Sequence, residues 1–184
     1  MENKGSIIKL SLILLAIAFI STLILTVCNA VTKDTIAYIN EQNIKSAMLE
    51  VLPGGEIFEE IGGEYPEYIT SASYGKKDGD IMGYTVNVSV PGFGGNIEMI
   101  IGVCKQATVT GVKITSLSET PGLGAKASNE EFTKQYYGLE EGISVIKSGM
   151  PNGNEISAIS GATITSKAVT EGVNAALKYV GTLE

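Results

Sequence analysis

The chain has 184 residues, room for one domain of about 150 residues with a sizeable core plus an appendage. Its net charge is −7 and every basic residue is Lys, so it lacks the positive footprint that holds phosphate backbones, and nucleic acid is excluded as a partner. With no His, and Cys only at positions 28 and 104, it can support neither Ser-His-Asp nor Cys-His catalysis, c-type haem or a four-Cys iron–sulfur cluster, so electron transfer here would need an organic cofactor.

The appendage comes first. Leu10 to Val31 is an uncharged run built mainly of Leu, Ile, Ala and Val. At about 1.5 Å per residue it spans about 33 Å, against a hydrocarbon core of about 30 Å. A signal peptide has a shorter apolar core and an Ala-x-Ala site, and neither is present. Leu25-Thr26-Val27-Cys28 fits a lipoprotein cleavage site poorly because Val precedes the Cys. The run reads as an uncleaved single-pass anchor in the cell membrane. Lys4 and Lys9 keep residues 1–9 in the cytoplasm and leave the remainder on the extracytoplasmic side.

Residues 32–55 read as a juxtamembrane helix. Ile44, Ala47, Met48, Val51 and Leu52 repeat at helical spacing until Pro53-Gly54-Gly55 stops the run. Residues 56–184 form the extracytoplasmic domain. Residues 56–80 are acidic and turn-rich, with a short strand near Tyr68 to Tyr74 and a hairpin turn at Lys76 to Asp80. Tyr84, Val86, Val88 and Val90 alternate with polar residues, as do Ile97, Met99, Ile101 and Val103, and both segments read as strands. The Pro91-Gly92-Phe93-Gly94-Gly95 turn joins them. A third strand runs from Ala107 to Ser116, where Gly111 suggests a bulge. Ser128-Asn129-Glu130-Glu131 has capping-box form and starts a short helix carrying Phe132, Tyr136 and Tyr137. Ile156 to Ile159 is strand-like. Val169, Val173, Ala176, Leu177 and Val180 mark a last helix from about Thr163. The fold class is α+β, an antiparallel sheet packed with helices, preceded by a single N-terminal transmembrane helix.

Two stretches carry chemistry. Ser160-Gly161-Ala162-Thr163-Ile164-Thr165-Ser166 puts hydroxyls at a helix start, where unpaired N–H groups favour an anion. Read from residues alone, it is a helix capped by Ser or Thr. Glu119-Thr120-Pro121-Gly122-Leu123-Gly124 is a Pro-Gly turn, and with Ala125-Lys126 it lacks the spacing of a nucleotide-triphosphate loop.

Together these stretches resemble the FMN-binding domain shared by the G subunit of the Rnf complex and the C subunit of the sodium-pumping NADH:quinone oxidoreductase. The resemblance implies that Thr163, and not Thr165, accepts FMN through a phosphoester. It implies that Glu119, Thr120, Gly122, Leu123 and Gly124 line the flavin site. Ser160, Gly161, Ala162, Thr165 and Lys167 become candidates around the phosphate. The family commonly has Asp three residues before the Ser-Gly-Ala-Thr core, where this chain has Ser157, with Glu155 upstream. Also implied are a separate flavin transferase that uses FAD, and other membrane and flavin or iron–sulfur subunits as partners. The expected role is an electron-carrying subunit of a ferredoxin:NAD oxidoreductase that pumps sodium or protons, with no complete active site of its own and no metal. The alternatives are the quinone-reducing complex and a membrane-tethered assembly module without cofactor. The Gly-rich turn at 91–95 and the pair Tyr136–Tyr137 read as hairpin and core, with flavin contact as the alternative for each.

Overall fold

The computed structural model describes residues 3–183. Helix α1, Asn3–Val51, runs unbroken through the stretches read as anchor and juxtamembrane helix. From Ser6 to Ile36 its side chains are exposed throughout. Among the described residues it is the one helix long and apolar enough to cross a membrane. So long an exposed apolar surface needs lipid or protein cover.

The chain divides into two compact units, residues 1–43 and 44–184. The second unit contains a five-stranded antiparallel meander in the order β1-β2-β3-β4-β5. Its strands are β1 (Ile57–Glu60), β2 (Ile69–Lys77), β3 (Asp80–Pro91), β4 (Asn96–Cys104) and β5 (Val109–Ser116). The three strands expected from alternation are β3 to β5. The short strand expected near Tyr68 extends to Lys77 and pairs with β3 across an Asp78-Gly79 turn, both residues having positive φ. Strand β1 was not legible, because its four residues are nearly all exposed and show no alternation. The expected bulge falls beside Gly111 rather than on it. Gly111 pairs with Gly102, and the register slips between there and the Val103–Val109 pair.

Alternation gives the sheet two covered faces. Ile97, Met99, Ile101 and Val103 of β4 join Val86, Val88 and Val90 of β3 in the main core. Helix α3, Thr163–Val180, lies on that face and brings Val169, Val173, Ala176 and Leu177 to it. On the opposite face, Ile100 packs with Ala47, Met48 and Val51 from the last turns of α1. There Gly102 and Gly111 leave room for Val51, and Thr110 Oγ1 donates to the Val51 carbonyl at 2.6 Å.

Between β5 and α3 come a 3₁₀ turn (Gly124–Ser128), the one-turn helix α2 (Glu130–Thr133), and a two-stranded parallel pair, β6 (Ser144–Ile146) and β7 (Glu155–Ser157). The capping box expected at Ser128 does not form. The Ser128 hydroxyl donates backwards to the Ala125 carbonyl, and the N-cap of α2 is Asn129, whose side chain makes no cap bond. Tyr136 is fully buried, meets Phe132 edge-on, and bonds through its hydroxyl to Thr170 Oγ1 at 2.8 Å, whereas Tyr137 is exposed. Tyr136 is therefore core.

Candidate functional site

The start of α3 sets the site. Its N-cap is Ala162, without a side-chain cap bond, so the hydroxyl cap expected from the sequence is absent and Thr163 is the first helical residue. Ser166 N–H to Ala162 O is the first intrahelical bond, which leaves the N–H groups of Thr163, Ile164 and Thr165 ahead of the ladder. Gly161, at φ 77°, makes the turn into the helix, a conformation that other residues enter at a cost. Ser166 braces that turn: its hydroxyl donates to Ala162 O and accepts from Ile159 N–H, both at 3.0 Å.

The hydroxyls of α3 then divide sharply. Thr165 Oγ1 donates to Glu119 Oε2 at 3.1 Å, and Thr165 is 1% exposed. Ser166 is engaged as above, and Thr170 Oγ1 donates to Ser166 O at 2.9 Å. Among the described residues, Thr163 Oγ1 has no hydrogen-bond partner, and its residue is half-buried at the wall of a cleft of about 440 Å³.

That cleft gathers most of the residues singled out from the sequence. Glu119, Thr120, Leu123 and Gly124 line it from one side, and Gly161, Ala162, Thr163 and Thr165 from the other. Ile164, and Phe93 from the Gly-rich turn for which flavin contact was the alternative reading, complete it. The signal for Phe93 was present: an aromatic at the tip of a hairpin turn with more glycine than a turn needs. It is 70% exposed, and its N–H donates to Glu119 Oε1 at 2.7 Å. The Gly-rich turn thus borders the site as well as closing the hairpin.

Three candidates lie elsewhere. Gly122, at φ 80°, shapes the turn behind Leu123 without lining the cleft. Ser160 faces a second depression of about 270 Å³, shared with Lys126, Glu131 and Ser157. Lys167 lines a third, beside Glu171 and Asn174. At the position of the family Asp, Ser157 is held by its backbone: its N–H donates to Gln135 Oε1 at 2.8 Å and its carbonyl accepts from Gln135 Nε2. Glu155 accepts from Asn152 N–H, outside these depressions.

Residues 92–178 match the family model of the FMN-binding domain, and residues 1–51 match that of the RnfG N-terminal region. The G subunit of the Na⁺-translocating ferredoxin:NAD⁺ oxidoreductase complex of Acetobacterium woodii is 39% identical over 94% of this chain and 90% of its own length. The G subunit of the proton-translocating complex of Clostridium ljungdahlii is 32% identical over 98% of this chain and 95% of its own. Among solved structures, the C subunit of the Na⁺-translocating NADH-quinone reductase of Parabacteroides distasonis superposes with a TM-score of 0.52 at 28% identity, over 61% of this chain and 62% of that one. Shewanella oneidensis NqrC shares the fold, with a TM-score of 0.54 over 61% of each chain. The chain thus spans about three fifths of the solved structures it matches, but nearly the full length of the G subunits. By sequence and fold, the chain belongs to the RnfG family, the G subunits of the ion-translocating (Rnf) oxidoreductase complexes, with an FMN-binding domain at its C-terminal side.

Proposed function

We propose that this chain is an electron-carrying flavin subunit of a membrane-bound ion-translocating ferredoxin:NAD⁺ oxidoreductase, with FMN esterified through its phosphate to Thr163 Oγ1. One observation carries the assignment of the residue: of the hydroxyls in the first turns of α3, only that of Thr163 is both unengaged among the described residues and open to the cleft.

The residues present fit the cofactor. The cleft's volume lies within the roughly 300–1,000 Å³ usual for small-molecule sites. Phe93, Leu123 and Ile164 give it apolar walls suited to a flat ring, and the helix start offers N–H donors to a phosphate. A phosphodiester keeps one negative charge, which the helix dipole favours by about 0.3–1 kcal/mol. When bound, FMN supplies the redox chemistry, while the protein fixes its position and surroundings.

Attachment is a phosphoryl transfer from FAD on a separate transferase. Thr163 Oγ1 forms a bond to the flavin-side phosphorus, the bond to AMP breaks, and the hydroxyl proton passes to a base of the transferase. Lys4 and Lys9 orient the anchor so that the domain lies outside the cytoplasmic membrane. There, a covalent link prevents loss of the flavin by dissociation. The other subunits of the complex are the electron partners.

The test is flavin fluorescence of the denatured chain after co-expression with a flavin transferase. Wild type and Thr165→Val should fluoresce and Thr163→Ala should be dark. A dark wild type would refute covalent attachment, and a bright Thr163→Ala would refute the choice of hydroxyl.

A further inference from the structure

We infer that Glu119 is a positioning residue that makes Thr163 the sole flavin acceptor, withholding the Thr165 hydroxyl while it anchors the hairpin turn carrying Phe93. This rests on the covalent reading above and goes beyond it, because a helix start with Thr at two positions of its first turn has two hydroxyls near the same N–H groups. Spacing and composition do not choose between them.

A single carboxylate ties three segments together. Oε1 accepts from Phe93 N–H at 2.7 Å and from Gly94 N–H at 3.3 Å, at the tip of the β3–β4 hairpin. Oε2 accepts from Thr165 Oγ1 at 3.1 Å, on the first turn of α3. The backbone makes room for this arrangement. A Cβ on Gly92 would stand 2.5 Å from Glu119 Oε1, and one on Gly124 would stand 2.5 Å from Oε2 and 2.8 Å from Thr165 Oγ1. Only residues without side chains fit on these two sides of the carboxylate.

The chemistry of selection follows. In the transfer from FAD to the chain, one hydroxyl forms the new P–O bond, AMP leaves, and the hydroxyl proton goes to the transferase. A carboxylate beside a hydroxyl can serve as a general base, which would argue for Thr165. Two features oppose that. Thr165 is 1% exposed and its hydroxyl is already bound to Glu119, so its oxygen is less open to an approaching phosphorus than that of half-buried Thr163. Glu119 also sets a negative charge next to it, against a pyrophosphate that is itself anionic. Thr163 lies two residues away, about 100° per residue around the helix, is half-buried and makes no hydrogen bond to Glu119 among the described residues. Through its other oxygen, Glu119 holds the Phe93 turn as a wall of the same cleft.

Two readouts on the full chain test this, one without flavin. In the flavin-free protein, amide hydrogen exchange at Phe93 and Gly94 should quicken at least tenfold in Glu119→Ala. It should stay within threefold of wild type in Glu119→Gln, whose amide oxygen still accepts from the turn. After co-expression with the transferase, peptide mass spectrometry should find FMN only on Thr163 in wild type. In Glu119→Ala, at least one tenth of the label should move to Thr165. Gly124→Ala puts a methyl 2.5 Å from Glu119 Oε2 and 2.8 Å from Thr165 Oγ1 and should shift label the same way, which keeps the test decisive should Glu119→Ala fail to fold. Label confined to Thr163 in the variants that fold, or exchange unchanged in Glu119→Ala, overturns the inference. A wild type that takes up no flavin sinks the covalent reading instead, and the exchange measurement still decides whether the clamp exists.

Discussion

The seat of α1 on the sheet gives a sharp test of the packing, with Gly102→Ala as the perturbation. A methyl at Gly102 would lie 2.0 Å from the Val51 carbonyl oxygen, 2.6 Å from its carbon and 2.5 Å from Thr110 Oγ1. Two of those three atoms are backbone, so no rotamer change relieves the clash. Val51 must shift by more than an ångström, which breaks the 2.6 Å bond from Thr110 Oγ1 to its carbonyl. Losing that bond costs about 0.5–1.5 kcal/mol. Unpacking Val51, now 1% exposed, costs about 1.5–3 kcal/mol. Against this, Ala stiffens a strand relative to Gly by about 0.5–1 kcal/mol. The clash wins, by roughly 1–4 kcal/mol out of the 5–15 usual for a domain. At about 2–4 °C per kcal/mol for a chain of this size, Tm should fall by roughly 2–16 °C. Near-UV circular dichroism of the tyrosines, on the full chain in detergent, reports the transition. Gly62→Ala, which meets nothing within 4 Å, is the control and should melt with wild type. A Gly102→Ala chain as stable as wild type would show that Val51 does not sit against β4.

Three further outcomes follow from single groups. Thr85 is fully buried, and its Oγ1 has no partner among the described residues, so Thr85→Val should raise stability by about 1 kcal/mol, read as a higher Tm. Burial pushes the Tyr136 hydroxyl up, so it stays protonated, and with the Thr170 proton given to Ser166 O it is Tyr136 that donates; Tyr136→Phe should cost about 0.5–1.5 kcal/mol in denaturant unfolding and leave flavin labelling intact, since this ring belongs to the core. Partial burial opposes ionisation of Cys104, but hydrogen bonds from the Thr108 hydroxyl and from backbone N–H groups outweigh it and hold the thiol below the ordinary range. In a Cys28→Ser chain, alkylation of Cys104 should therefore turn on at lower pH than for a free cysteine, and Thr108→Val should move that midpoint upward.

Local patterns carried far in the reading of this chain, and their failures have a common cause. Strands β3 and β4 were legible because the larger apolar side chains facing the main core fall at every second position. Helix α3 was legible because its buried stripe repeats at helical spacing. Strands β1 and β6 were not, because strands of three or four residues with little burial leave no periodic trace, whereas the strand-like run expected at Ile156 to Ile159 overlaps β7. The capping box failed at Ser128 because a preceding 3₁₀ turn offered its hydroxyl the Ala125 carbonyl first.

By itself the sequence determined the membrane-spanning composition, the absence of His-based chemistry, the antiparallel meander at the centre of the sheet, and a helix start at Thr163. These are properties of one segment at a time, set by charge, hydropathy and spacing. Only the tertiary structure decided that the Glu119 loop, the Phe93 hairpin and the first turn of α3 line one cleft, and that the Thr163 hydroxyl is unengaged among the described residues while Thr165 gives its own to Glu119. Those contacts join residues 26 to 46 positions apart. They exist because sheet and helix pack on a shared core, and no local pattern encodes which distant carboxylate will meet which hydroxyl.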